Sequence, residues 1–458
     1  MIHKYIFKDN FIVMDINSGA VHIVDKVIYE VLSVFEKYSA GYSGELLYKE
    51  CKDEVPAAFD GIFSGQEIQE ALSDIYELIN QKMLFTDNEL PGNVFDTKEP
   101  VIKAMCLHAA HDCNMKCTYC FGDKGAFEGE RCLLSVETGK KAIDFLIANS
   151  GSRRNLEVDF FGGEPTMNFE AIKEVVAYAR SVEKENNKNI RFTITTNGLL
   201  LDDEKIDYIN EVMDNVVLSI DGRPEVNDRM RKTVNGKGTY DLIMDNYRNF
   251  IKKRDGLYYV RGTFTAYNID FSEDVRHLSE QGFETISVEP VVTPAENEYA
   301  LRDKDRETIL AEYDKLADLY IEKYEEGHPF NFFHFNVDLN QGPCIVKRVS
   351  GCGAGTEYIA ISPEGDIYPC HQFVGNKDFL LGTLDDEYNN RLYDFFNQAN
   401  VTRKPACITC WAKYYCSGGC HANAYHTNSD IMKPYELGCD MEKKRIECAI
   451  GIQAYLSE

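Results

Sequence analysis

The stretch His111-Asp112-Cys113-Asn114-Met115-Lys116-Cys117-Thr118-Tyr119-Cys120 places three cysteines in a CxxxCxxC spacing. A structural zinc site or an ordinary four-iron cluster takes four thiolates, so three on one short loop leave one metal position without a protein ligand. On spacing alone the triplet is also open to three unrelated buried thiols, or to three-quarters of a zinc site completed from afar. The sequence on either side has to arbitrate.

From 101 to about 326 the chain alternates strand-like runs (156–161, 190–195, 216–220, 258–265, 285–289) with helical ones such as 136–148, 169–183 and 269–279. Repeated βα units predict an α/β domain with a parallel sheet and helices outside it, open or curled into a barrel, with ligands gathered where strands end. At those ends Phe161 runs into Gly162-Gly163-Glu164-Pro165, where glycine lets backbone approach a ligand and Glu164 offers an acceptor to an ammonium group. Ile194 leads into Thr195-Thr196-Asn197-Gly198, polar groups that suit ribose hydroxyls, and Ser219-Ile220-Asp221-Gly222 is followed by Arg231, which could pair with a carboxylate. Each of these also reads as an ordinary turn.

In this order, and with the aromatic Tyr119 just ahead of the third cysteine, the motifs resemble the radical S-adenosylmethionine (SAM) superfamily. The resemblance implies a partial (βα)6 barrel in which Cys113, Cys117 and Cys120 hold a [4Fe-4S] cluster whose open iron is chelated by SAM. Tyr119, Gly162, Gly163, Glu164, Thr195, Asn197, Ser219 and Arg231 would contact SAM. Where relatives often carry His-Asp, this chain has Asn227-Asp228, so any role of that histidine does not transfer.

The remaining 327–458, a bridging region and a cysteine-rich domain, is poor in periodicity; its part from 340 on holds nine of the fifteen cysteines, so something other than an apolar core should organise it. Cys407-x2-Cys410-x5-Cys416-x3-Cys420, with Cys439 beyond and Cys352 and Cys370 before, resembles SPASM domains, which hold two auxiliary four-iron clusters. By that family's ligation Cys407, Cys410, Cys416 and Cys439 would close one cluster, and Cys352, Cys370 and Cys420 would hold the other, making three [4Fe-4S] clusters in all. Cys344 either completes the last one or leaves it open to a substrate thiolate. Cys51, Cys106, Cys132 and Cys448 fit no motif and read as small buried hydrophobes.

Residues 1–85 open with three short strands (5–7, 11–15, 20–24) and three helices, one capped by Asp25, one starting near Ser43 and one announced by the Ser64/Glu67 capping box. Residues 86–100 read as a linker around Pro91-Gly92. The small meander with helices resembles the winged-helix-like element with which peptide-modifying enzymes bind a leader peptide, an open strand edge accepting it by β-augmentation. A DNA-binding role is disfavoured: residues 1–97 carry seven lysines and no arginine, and the chain's net charge of −26 repels phosphates.

With 458 residues and 44% hydrophobic content, two or three domains can each bury a core. No apolar run approaches the roughly 18 residues of a membrane span, and the opening Met1-Ile2-His3-Lys4 is not that of a signal peptide, so a cytoplasmic protein without membrane partner is expected. Fifteen cysteines in a reducing compartment point to metal ligation.

Over nearly its whole length, and notably in 11–22, the chain resembles the maturases of SCIFF ("six cysteines in forty-five") peptides. That resemblance implies an oxidoreductase that forms a thioether between a cysteine sulfur and a carbon of a ribosomally made precursor peptide. A 5′-deoxyadenosyl radical would abstract the hydrogen, and a flavodoxin or ferredoxin would donate electrons. The alternative is another radical SAM maturase, such as one forming formylglycine in sulfatases.

Overall fold

The computed structural model of the protein describes residues 1–87, 101–339, 349–386 and 390–457. Cys344 and almost all of the expected linker lie outside the described residues. Three antiparallel strands come first, β1 (Ile2–Phe7), β2 (Asn10–Asp15) and β3 (Val21–Val24), in that spatial order. The helix Lys26–Tyr38 starts where expected because the Asp25 carboxylate accepts from the Ile28 amide, and Ser64 and Glu67 make both bonds of the capping box before Gly65–Asn80. A short extra helix, Val55–Ala58, was not expected; Pro56 in its first turn has the φ that a helix start needs.

The central sheet runs through β4 (Ala104–Ala110), β5 (Asn155–Gly162), β6 (Asn189–Thr196), β7 (Asn215–Ser219), β8 (Leu257–Phe264), β9 (Thr285–Pro290) and β10 (Asn331–Phe332). All of these pair parallel and in sequence order, as repeated βα units require. Strand β4, which delivers the chain to the cysteine triplet, escaped the sequence reading: five of its seven residues are Ala, Cys or His, and all but the first are buried, so no alternation betrays it. The sheet does not stop at β4. Strand β11 (Tyr358–Ile361) adds to β4 in parallel, and β12 (Asp366–Tyr368) and β13 (Gly382–Thr383) follow antiparallel, so the cysteine-rich region is built onto the barrel sheet itself.

The same region ends in a long helix, Glu436–Leu456, which no stripe in the sequence announced because it is buried on several sides. One side packs on the helix Arg306–Glu325 of the barrel. Another meets the first domain, where Ile12, Met14 and Ile16 share a core with Val401, Tyr414, Ile446 and Ile450. Gly451 leaves a notch for the Phe7 ring, the His3 ring stacks on Trp411 at 3.7 Å, and Tyr5 donates to the Glu447 carbonyl. The N-terminal domain is therefore not a tethered module; Ile12 and Met14 of β2 are core for the cysteine-rich region. No helix among the described residues is long and apolar enough to cross a membrane.

Candidate active site

Strand β4 ends at Ala110, and the cysteine loop leaves it to lie along the segment 230–233. The Lys116 and Thr118 amides donate to the carbonyls of Lys232 and Met230, and Met115 bridges to Thr233. Pinned along this segment, the loop turns Cys113, Cys117 and Cys120 into a cavity whose wall also includes Gly162, Gly163, Glu164, Thr195, Asn197, Ser219 and Arg231. Every residue expected around SAM, Tyr119 included, meets in this one cavity.

The two glycines do something other than expected. A Cβ on Gly162 would stand 2.3 Å from the Ala110 carbonyl oxygen, and one on Gly163 2.1 Å from that of Asp112. The Gly163 and Glu164 amides donate to those same carbonyls. The close approach they permit is thus of the β5 end to the root of the cysteine loop. Gly162 is the one with φ of +115°, a conformation that side chains resist.

Glu164, 1% exposed, accepts from the Thr166 amide and from the Thr166 and Thr196 hydroxyls at Oε1, and from the Asn197 amide at Oε2. Burial nonetheless pushes its carboxyl above the ordinary range, those four hydrogen bonds notwithstanding. Most of its acceptor capacity serves the fold, and what remains lies at Oε2. Asn197 is likewise committed: its amide nitrogen donates to Asn114 at 2.8 Å and lies 3.7 Å from the Cys113 sulfur, tying the β6 end to the cysteine loop.

Asp221 was quoted only as part of a turn, yet it organises this side of the cavity. Fully buried, it accepts the Tyr119 hydroxyl on both oxygens, Arg231 Nε at 3.0 Å and the Thr263 amide. Arg231 in turn stands 5.6 Å from the centre of the Tyr119 ring. Asn227, where relatives often have histidine, accepts from the Asp221 amide and donates to Thr239, so it braces this carboxylate's turn. An acid two residues past a β-strand, with an arginine ten residues on, is the signal that would have found it.

A second cavity lies against Cys352, Cys370, Cys416, Cys420 and Cys439. Burial raises the Cys370 thiol, with Cys420 and Cys352 adding to the rise, and it raises the Cys416 thiol, with Glu442, Cys439 and Cys407 adding to it. Zinc with Zn–S bonds of about 2.3 Å holds its sulfurs about 3.8 Å apart. No set of three described cysteines brings its sulfurs within even 4.8 Å of one another, so each set suits a body larger than a single ion. No disulfide joins any described cysteine. A thiolate donor set is the chemistry that a four-iron cluster takes. Burial pushes the thiols up, Cys113 to about 12, Cys117 and Cys407 to about 11, so loading must displace protons. Between the two C-terminal groups sits Lys404, fully buried, its Nζ on the Gly418 carbonyl and its charge felt by Cys407. The sequence gives no hint of a lysine in that position.

The two cavities share a wall made of Arg261, Glu289, Pro290, Val292 and Gln372. Arg261 of β8 bridges to Glu289 of β9 at 2.7 Å. Burial would raise the Glu289 carboxyl, but Arg261, with His334 and Arg445 behind it, holds it down to about 2. Nearby, inside the barrel on β5, burial pushes Asp159 up to about 7. Of the four cysteines without a motif, Cys51, Cys106 and Cys448 are buried as expected, but Cys132 is only half-buried and its thiol donates to Glu364, because β11 and β12 bring that carboxylate over it.

Residues 109–269 match the family model described as "Radical SAM superfamily". The chain is 26% identical over 343 residues, 69% of its length, to 86% of a cysteine-type anaerobic sulfatase-maturating enzyme of Clostridium novyi (strain NT). Its fold is similar to that of anSMEcpe with bound AdoMet, with TM-score 0.64 and 20% identity over 77% of this chain and 99% of that one. It is also similar to Streptococcus suis SuiB bound to its precursor peptide SuiA, with TM-score 0.52 and 17% identity over 95% and 98% of the two chains. Strand order, cysteine loop and family match agree: the protein has the α/β radical SAM fold, and residues 109–269 are the part that matches the radical SAM family model.

Proposed function

We propose that the protein is a radical SAM maturase that joins a cysteine sulfur to a carbon within a cysteine-rich precursor peptide. The observation that carries this is the shared wall of Arg261, Glu289 and Gln372, where a bound peptide residue would face the cavity of Cys113, Cys117 and Cys120 on one side and that of Cys352, Cys370, Cys416, Cys420 and Cys439 on the other. When bound, the first cluster with SAM supplies a hydrogen-abstracting radical, and the C-terminal clusters supply a sink for the second electron. The chain's own residues position and enclose. Asp221 fixes Tyr119 and Arg231, Asn197 anchors the cysteine loop, and the Arg261–Glu289 pair puts a permanently charged group where the peptide must pass. Glu289, held at about 2, is a poor proton acceptor near neutral pH.

The net change removes one hydrogen from carbon and one from sulfur. Anaerobic incubation with SAM, reductant and a cysteine-rich precursor is expected to lower the peptide mass by two hydrogens and to leave one cysteine no longer alkylatable. An unchanged mass rejects the reading. The sulfatase maturase of Clostridium novyi favours a second reading, oxidation of a protein cysteine to an aldehyde; a product that has lost its sulfur decides for it.

The leader would add to β3. Among the described residues β3 pairs only with β2. The Asp15 amide donates to Ala20 O, so Val13/His22 and Phe11/Val24 are the hydrogen-bonded pairs and Val21 and Ile23 direct their amides to the open edge. Ile23 is 45% exposed. Ile23→Pro removes one edge donor without touching the β2 ladder, and is expected to weaken precursor binding by about tenfold with iron content unchanged. Undiminished affinity in a fluorescence titration would move the leader elsewhere. Deleting the whole domain is the poorer test, since it strips Ile12, Met14 and Ile16 from the C-terminal core.

A further inference from the structure

One cluster of ligand-type side chains lies outside both cavities. His111, the residue after β4, Cys132, in the segment leading to the helix Val136–Ala148, and Glu364, in the turn between β11 and β12, converge although 21 and 232 positions separate them along the chain. Their ligand atoms all lie within 4.8 Å of one another, the only such trio among the described residues. The convergence is built in by backbone: the His111 amide donates to the Cys132 carbonyl at 2.8 Å, and Ala110 bridges to Leu133. Cys132 Sγ donates to Glu364 Oε1 at 2.7 Å, while His111 Nδ1 stands 3.8 Å from Glu364 Oε2, too long for a hydrogen bond.

A second observation bears on how His111 presents itself. Its other nitrogen, Nε2, is 3.0 Å from Nδ1 of the fully buried His108, and His108 Nε2 has no partner. If His111 Nε2–H donates to His108, the bare Nδ1 lone pair faces the thiol and the carboxylate. That is the arrangement of a metal-ligating histidine held by an outer hydrogen bond. Imidazole, thiolate and carboxylate together are a zinc-class donor set, and at tetrahedral geometry with bonds of about 2.0–2.3 Å the ligand atoms stand about 3.4–3.6 Å apart, reachable from the present positions by small side-chain movements.

We infer that His111, Cys132 and Glu364 form a mononuclear site for a zinc-class divalent cation, separate from the cysteine clusters. Binding displaces the proton that Cys132 now gives to Glu364 and releases it to solvent. Three protein ligands leave a fourth position, which water fills, because the Glu364 side chain is 50% exposed. The consequence is mechanical: the ion pins the root of the cysteine loop, two residues before Cys113, to the turn from which β12 leads to Cys370. His111 also stacks on Phe127 at 4.8 Å, and Phe127 lines the first cavity.

The test uses the full chain with its clusters reconstituted anaerobically, dialysed against a chelator and then titrated with zinc. The expected result is about one zinc per chain beyond the iron, with an X-ray absorption shell of one sulfur at about 2.3 Å and nitrogen or oxygen at about 2.0–2.1 Å. Glu364→Gln and Cys132→Ser should each weaken zinc binding by about tenfold or more at unchanged iron content. Glu364, being half-exposed, is the substitution that folding tolerates best, so it decides should the cysteine variant fail to fold. A wild-type holoenzyme that takes up no zinc beyond its iron in this titration overturns the inference. So does a sulfur-only shell, which would put the zinc among the cluster cysteines, or binding that Glu364→Gln leaves unchanged.

Discussion

On the proposal that the chain holds three four-iron clusters, Cys117→Ala is expected to abolish SAM cleavage and to lower iron from about twelve to about eight atoms per chain, the two C-terminal clusters being retained. The three thiols of the loop are its only cysteines on the first cavity, and no other described cysteine lines that cavity to replace one. Two remaining thiolates cannot hold a four-iron cluster, and without the cluster no reductant reaches SAM. Iron analysis with chromatography for 5′-deoxyadenosine checks both halves. Full iron content, or deoxyadenosine formation within tenfold of the unaltered protein, would mean that the loop is not the cluster site.

Asp221→Asn should cost about 3–5 kcal/mol of stability, because it leaves the Arg231 guanidinium buried with no countercharge. Arg231 is 9% exposed and Asp221 fully buried, so water can substitute for neither. The same change takes one of the two acceptor oxygens from the Tyr119 hydroxyl, which loosens the cysteine loop next to Cys120. Removing both charges is far milder than removing one; Asp221→Asn combined with Arg231→Met should therefore recover much of the loss, although SAM binding stays impaired. Urea unfolding of the single and double variants measures this. A single variant that loses less than about 1 kcal/mol would show that Asp221 is not what holds Arg231.

The residues of the first cavity were legible because radical SAM chemistry puts them at strand ends in a fixed order, and a strand followed by Gly-Gly-Glu-Pro or Thr-Asn-Gly shows in one dimension. Their detailed work was not. Gly162 and Gly163 looked like a ligand cradle, but only the register of β5 on β4 reveals that they make room for the chain's own Ala110 and Asp112 carbonyls. Asp221 was invisible as an organiser because its partners Tyr119 and Thr263 lie far away along the chain. Lys404 escaped for the same reason, since a lysine placed beside thiols is apparent only once the loops are folded over one another.

By itself the sequence determined the parallel βα core, the three helix starts of the N-terminal domain and the spacing of the loop cysteines Cys113, Cys117 and Cys120. Each follows from local signals: periodicity, caps and short spacings act within a few residues of one another. Only the tertiary structure decided that the cysteine-rich region continues the barrel sheet through β11, and that the N-terminal strands share a core with the last helix. It alone set Cys132, read as a buried hydrophobe, against His111 and Glu364. Those outcomes depend on which surfaces meet, and contacts between segments hundreds of residues apart are chosen by mutual burial of apolar faces rather than by any pattern within either segment.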